Sequence, residues 1–133
     1  MKAVVIREHG DVDVLQFDEV PEPVPRADEA LVRVRAIGVN NLDTWVRRGV
    51  PGHKFPLPII PGSDAAGVVA EVGDRAVGIT PGQRIVINPG LSCGHCEFCI
   101  AGEDCLCADF KILGEHTPGG AAEFVAVPAR NVL

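Results

Sequence analysis

All five cysteines of this chain fall between Cys93 and Cys107, and Cys93, Cys96 and Cys99 are spaced C-x2-C-x2-C. A tetrahedral Zn²⁺ takes four thiolates at about 2.3 Å each, and two-residue spacers let a tight turn aim neighbouring sulfurs at one point. Gly94 and Gly102 supply the backbone freedom that such turns need. The fourth ligand is Cys107 or Cys105, with His95 a weaker substitute. A disulfide framework fits poorly, because the cysteine count is odd and the charge-interrupted start Met1-Lys2-Ala3-Val4-Val5-Ile6-Arg7 is no signal peptide. A redox C-x-x-C belongs near a βαβ pattern and needs only two cysteines. An iron–sulfur cluster also uses four thiolates, and zinc is favoured over it. Four sulfur ligands leave no open coordination position, so the expected site is a structural zinc that holds a loop together.

The rest of the chain must supply a body for that loop. With 133 residues, 47% of them hydrophobic and 23% charged, it has the length and balance of one globular domain. The formal charge of −6 and scattered Lys and Arg count against a nucleic-acid partner, since phosphate binding needs a basic face. No apolar run approaches the ~20 residues that cross a bilayer, so no membrane partner is expected. A cytoplasmic domain is the default.

Short strands dominate the pattern. Lys2 to Arg7 is an apolar strand, Val14 to Val20 alternates loosely enough for a half-buried one, and Leu31 to Val39 alternates cleanly. In the last of these, Val32, Val34 and Ala36 share one face and Arg33 and Arg35 the other. Asn41 to Gly49 reads as a short helix, with Asn41 able to cap its start, Arg47 and Arg48 in its last turn, and Gly49 as its stop. The prolines between Pro51 and Pro61 make a stiff loop. Further strands are expected at Gly67–Gly73, Arg84–Asn88 and Ala122–Val127. Many short strands with Gly/Pro turns predict a mainly β barrel or sandwich.

The run from Asn88 through Cys93, Cys96 and Cys99 to Glu103 resembles the structural-zinc lobe of the medium-chain dehydrogenase/reductase superfamily, which includes zinc alcohol dehydrogenases and quinone oxidoreductases. Pro61-Gly62-Ser63-Asp64-Ala65-Ala66-Gly67 is similar to its Gly-His-Glu-x-x-Gly segment. Gly119-Gly120-Ala121-Ala122-Glu123-Phe124 is similar to its Gly-Gly-x-Ala-Glu-aromatic strand. The resemblance implies a GroES-like β-barrel with short helices over residues 1–133, including a zinc-binding lobe at 89–115. It selects Cys93, Cys96, Cys99 and Cys107 as ligands and leaves Cys105 spare. It further implies NAD(P) as cofactor, a small-molecule substrate and room for a homo-oligomer.

Three departures bear on the chemistry. Where zinc alcohol dehydrogenases place catalytic-zinc ligands, this chain has Asn40 and Ser63, neither an ordinary zinc ligand, and Asp64 replaces the family glutamate. The strip Asn40 to Gly49 with Gly62-Ser63-Asp64 instead resembles zinc-independent quinone and enone reductases. Asn40 is then a donor to the substrate carbonyl or to the nicotinamide carboxamide, or else a capping residue. Ser63 donates a hydroxyl, or bonds its own loop. Asp43 orients a neighbour, or is a first-turn acid; Asp64 stands behind them, or is a solvated loop acid. Trp45 is expected to pack in the core, Arg47 and Arg48 to act as helix-end cations, and His116 beside Glu115 to have a small claim on proton transfer.

No G-x-G-x-x-G run opens a helix after a strand, so a Rossmann dinucleotide site is not expected within this chain. These residues therefore read as the N-terminal part of a two-domain oxidoreductase that transfers hydride between nicotinamide and a small carbonyl, alcohol or enone, and as inactive on their own. The rival reading is a free-standing, non-catalytic zinc module that acts in protein interaction.

Overall fold

Clean alternation puts one strand at the centre of the main sheet. A computed structural model describes residues 1–133, with elements β1 (Lys2–Ile6), β2 (Leu15–Glu19), β3 (Glu29–Ile37), α1 (Asn41–Arg48), β4 (Ala65–Val72), β5 (Arg84–Val86), β6 (Gly90–Leu91), α2 (Glu97–Ile100), β7 (Lys111–Ile112) and β8 (Phe124–Pro128). The central sheet has the order β5-β4-β3-β8, and every pairing in it is antiparallel. β3 starts two residues before the clean alternation and stops at Ile37. Its register against β4 shifts between Leu31 and Val32, where β4 carries an extra residue, Ala70; the alternation of β3 continues, with Ala30 and Val32 facing the core and Leu31 standing with Arg33 on the opposite face. Gly67 on β4 is a close-approach glycine, because a Cβ there would run into the carbonyl oxygen of Arg33 across the pair.

The core lies on one face of this sheet. Val32, Val69, Ile85, Val125 and Val127 bury their side chains there with Ile87 and Leu113. Arg33 occupies the opposite face, its guanidinium 5.0 Å from the centre of the Phe124 ring. β1 and β2 form a separate two-stranded ribbon. The ribbon is tied to the body through β1, whose Val4 N–H donates to the Ala121 carbonyl and Ile6 N–H to the Ile59 carbonyl, each at 2.8 Å. β2 differs from its half-buried expectation, since all five of its residues are exposed. Its backbone pairs with β1, and β1 alone buries side chains against the body: Ala3 and Val5 pack on Ile60, and Ile6 on Ile59 and Val46. The short pair β6-β7 closes the base of the cysteine lobe. No helix is long and apolar enough to cross a membrane.

Leu113 is 1% exposed within this core, whereas Leu106 on the lobe is 55% exposed. Leu113→Ala is expected to cost about 2–5 kcal/mol through lost transfer energy and a residual cavity. Leu106→Ala should stay within about 0.5 kcal/mol. Urea unfolding of the two variants measures the contrast.

Candidate functional site

The end of β3 delivers Asn40 to the start of α1. Asn40, not Asn41, is the N-cap: its φ of −116° and ψ of 164° are extended, and the helix begins at Asn41. The Asp43 carboxylate makes two bonds from the first turn. Its Oδ2 accepts from the Asn40 backbone N–H at 2.7 Å, and its Oδ1 accepts from the Gly62 N–H at 2.8 Å. The side chain of Asn40 turns the other way, Nδ2 donating to Oδ2 of Asp64 at 2.9 Å. Gly38 N–H donates to the Asp64 carbonyl, also at 2.9 Å. Ser63 sits between these contacts and is 5% exposed. Asn40, Asp43, Ser63 and Asp64, two pairs separated along the chain, thus meet in one strip. Asp43 is more than a dipole-compensating acid, because it fastens the helix N-terminus to the Gly62 backbone.

A cleft of about 200 Å³ meets the strip at Asp43 alone and is lined among others by Leu15, Ile37, Val39, Thr44 and Gly62. Arg47, a helix-end cation that is itself buried, also lines it: Nη1 donates to the Gly10 carbonyl at 2.8 Å and to Oδ1 of Asp11 at 3.2 Å. Gly49 stops the helix at a φ of 77°, a region that residues with a Cβ rarely adopt. Trp45 departs from its core expectation and is 56% exposed. In so short a helix the inward face is taken by Leu42 and Val46, one turn apart, which pack with Ile6 and Ile59.

The cysteine lobe converges as its spacing implies. One sulfur from each of Cys93, Cys96, Cys99 and Cys107 lies within 4.8 Å of the others. Cys93 Sγ is 3.8 Å from Cys99 Sγ, and Cys96 Sγ is 3.5 Å from it; four sulfurs at about 2.3 Å from one tetrahedral centre stand about 3.8 Å apart. The donor set therefore fits zinc. Cys105 is exposed and outside the cluster. His95 is also outside it, its Nδ1 bonding the Cys93 carbonyl at 2.9 Å.

Backbone donors polarise the cluster. The amides of His95 and Cys96 pull the Cys93 thiol down to about 6. At Cys96 the largest influence is the Cys99 amide, which lowers it. Burial and hydrogen bonds with the thiols of Cys99, Cys93 and Cys107 together outweigh that amide and push Cys96 up to about 11. Neighbouring thiols cannot all ionise side by side, and a divalent cation removes the conflict by stabilising every thiolate.

Two residues that sequence reasoning passed over hold the lobe to the barrel. Asn131 Nδ2 donates to the carbonyls of Asn88 at 2.9 Å and Gly90 at 2.7 Å. Arg130 donates to the Cys93 carbonyl at 3.2 Å and to the Ser92 carbonyl. Asp104 accepts from the Ser92 hydroxyl at 2.6 Å, and this bond holds its carboxyl below the ordinary range. Nothing in the local sequence around 130 and 131 signals this role, because both partners lie some forty positions away. A second convergence, of His53, Glu115 and His116, had only the adjacency of the last two as a sequence signal.

Residues 26–133 match the family model described as the alcohol dehydrogenase GroES-like domain. A solved NAD-dependent alcohol dehydrogenase is 50% identical, with a TM-score of 0.95 over 100% of this chain and 39% of its own. A thermostable alcohol dehydrogenase from Pyrobaculum aerophilum, solved with cobalt and zinc bound, is 39% identical with a TM-score of 0.92, over 100% of this chain and 40% of its own. The quinone oxidoreductase of Mus musculus is 37% identical over 105 residues, which is 78% of this chain and 32% of that protein. The chain belongs to the alcohol dehydrogenase GroES-like family, within the medium-chain dehydrogenase/reductase superfamily. It spans between about a third and two-fifths of the length of these relatives.

Asp43→Ala removes two charge-assisted bonds and leaves the Gly62 amide without its acceptor. The expected loss is about 2–3 kcal/mol, with Asp43→Asn intermediate, read from urea unfolding. Thiol alkylation gives a second check. A thiol reacts as its thiolate, so in chelator-treated protein Cys93 should reach half its maximal rate near pH 6 and lose reactivity as pH falls below that. Cys96 should stay protected until about pH 11. Site-resolved mass spectrometry separates the two.

Proposed function

We propose that these residues form the N-terminal catalytic domain of an NAD(P)-dependent oxidoreductase that transfers hydride between nicotinamide and a small carbonyl, alcohol or enone. In this reading the lobe at 89–115 carries one structural zinc on Cys93, Cys96, Cys99 and Cys107. The observation that carries it is the hydrogen-bonded strip Asn40–Asp43–Ser63–Asp64, whose Asp43 lines an apolar cleft, in a chain of this family. Both alcohol dehydrogenases and quinone oxidoreductases among its relatives support the reaction class.

The chemistry follows from what each residue has left to offer. Hydride arriving at a carbonyl or conjugated enone builds negative charge on oxygen, which fixed donors stabilise. An amide carries two N–H donors. Asn40 commits one to Asp64 and aims the other, so Asp64 is a positioning residue. Ser63 contributes a hydroxyl from a nearly water-free position, where a hydrogen bond is worth more than in water. Asp43 sets the distance between these groups by holding α1 against Gly62. An amide and a hydroxyl are poor zinc ligands, which supports oxygen stabilisation by hydrogen bonding over Lewis-acid catalysis. When bound, zinc cross-links the lobe and the nicotinamide cofactor supplies or accepts the hydride.

The test uses the protein containing this domain, purified with its metal. One zinc per chain is expected to survive dialysis against a mild chelator, to be lost in Cys107→Ser and to be retained in Cys105→Ser. NAD(P)H-dependent reduction of a small quinone or enone should persist under the same chelator. Asn40→Ala should lower kcat on the order of a hundredfold. Activity that disappears while the cysteine-bound zinc remains would overturn the zinc-independent step.

A further inference from the structure

Away from the cysteines, three metal-binding side chains converge from two loops. His53 lies in the proline-rich loop before β4, and Glu115 and His116 lie between β7 and β8. Nε2 of His53 is 3.3 Å from Oε1 of Glu115, and Nδ1 of His116 is 3.8 Å from Oε2. One ligand atom from each residue falls within 4.8 Å of the others. The Glu115 side chain is only 11% exposed, while His53 and His116 are 41% and 35% exposed. A carboxylate withdrawn from water is thus flanked by two imidazoles that solvent reaches.

The placement of hydrogens says what the gap can accept. The Ile112 N–H donates to Nδ1 of His116 at 3.1 Å, so that nitrogen presents a lone pair and carries no proton. It therefore has no proton to donate to Oε2 of Glu115, 3.8 Å away, and no hydrogen bond joins the two side chains. A cation held by Glu115 and the imidazoles would supply the link that the pair lacks.

The framework around the gap is tied down. Glu115 and His116 N–H both donate to the Ile112 carbonyl, at 3.2 and 2.9 Å, which fixes the turn. The His53 N–H donates to the Val50 carbonyl at 3.0 Å, and its ring centre stands 4.4 Å from that of Phe55.

We propose that His53, Glu115 and His116 form a second metal site, separate from the four-cysteine cluster, for a borderline divalent ion such as Zn²⁺. Imidazole nitrogen and carboxylate oxygen are ordinary ligands for zinc and cobalt, whereas magnesium and calcium require mainly oxygen. Two imidazoles and one carboxylate leave a fourth position for water. On binding, His116 exchanges the Ile112 N–H for the metal. This inference is independent of the hydride-transfer reading, and its readout is metal binding, not turnover.

The experiment is titration with Co²⁺ of the chain holding a single equivalent of zinc, the one retained by the four-cysteine cluster after dialysis against a mild chelator. One further equivalent is expected to bind, with visible d–d absorption and without the sulfur-to-metal charge-transfer band that substitution at the cysteines produces. His53→Ala and Glu115→Gln should each weaken that equivalent by on the order of tenfold or more, and His95→Ala should leave it unchanged. His53 is on an exposed loop, so its variant carries the test even if a substitution at the buried Glu115 disturbs folding, which circular dichroism reports. Absence of the extra equivalent, or equal binding by His53→Ala, overturns the proposal. So does cobalt uptake that appears only with the charge-transfer band and release of zinc.

Discussion

The two-sided pairing of β3 is the constraint on which both parts of the molecule depend. On one edge it pairs with β4, whose first residues follow Gly62, Ser63 and Asp64. On the other it pairs with β8, which runs directly into Arg130 and Asn131. Its own end leads to Asn40. One strand therefore sets the separation between the polar strip and the segment that grips the lobe. The close contact at Gly67, where a Cβ would strike the Arg33 carbonyl, shows how little slack that pairing has. A shift of one residue in such a ladder would turn the apolar face outward, and both sites would separate.

The two regions are held by different physics. The strip is maintained by neutral and charge-assisted hydrogen bonds among Asn40, Asp43, Gly62 and Asp64, and it rests on the small apolar cluster of Ile6, Val46 and Ile59. The lobe has almost no core of its own: Phe98, Ile100 and Leu106 are exposed and Cys107 is the buried cysteine. Its order comes from the convergent sulfurs and from carbonyl contacts made by Arg130 and Asn131. A lobe of that kind suits a cross-linking ion, because burial alone offers too little area to fix the chain.

Much of this was legible in the residues. The alternation of Val32 and Val34 located the central strand but not its start at Glu29, because Leu31 is apolar on the face that Arg33 and Arg35 mark as polar and the pattern blurs there. The cap moved by one residue, from Asn41 to Asn40, since two consecutive asparagines look alike until the backbone angles separate them. Trp45 was expected inside because aromatic burial is the usual outcome, but a two-turn helix has one inward face and Leu42 and Val46 occupy it. β2 kept its strand pattern without burial, because only its backbone is used.

The residues alone carry the mainly β architecture, the cysteine spacing and the absence of ordinary zinc ligands at positions 40 and 63. These depend on residue type and local period, which any stretch of chain carries with it. Folding is what brings Asp43 to Gly62, Asn131 to Asn88, and His53 to Glu115 and His116. Those contacts join residues far apart along the chain. Their distances are set by sheet registry and loop packing, and no local pattern records them.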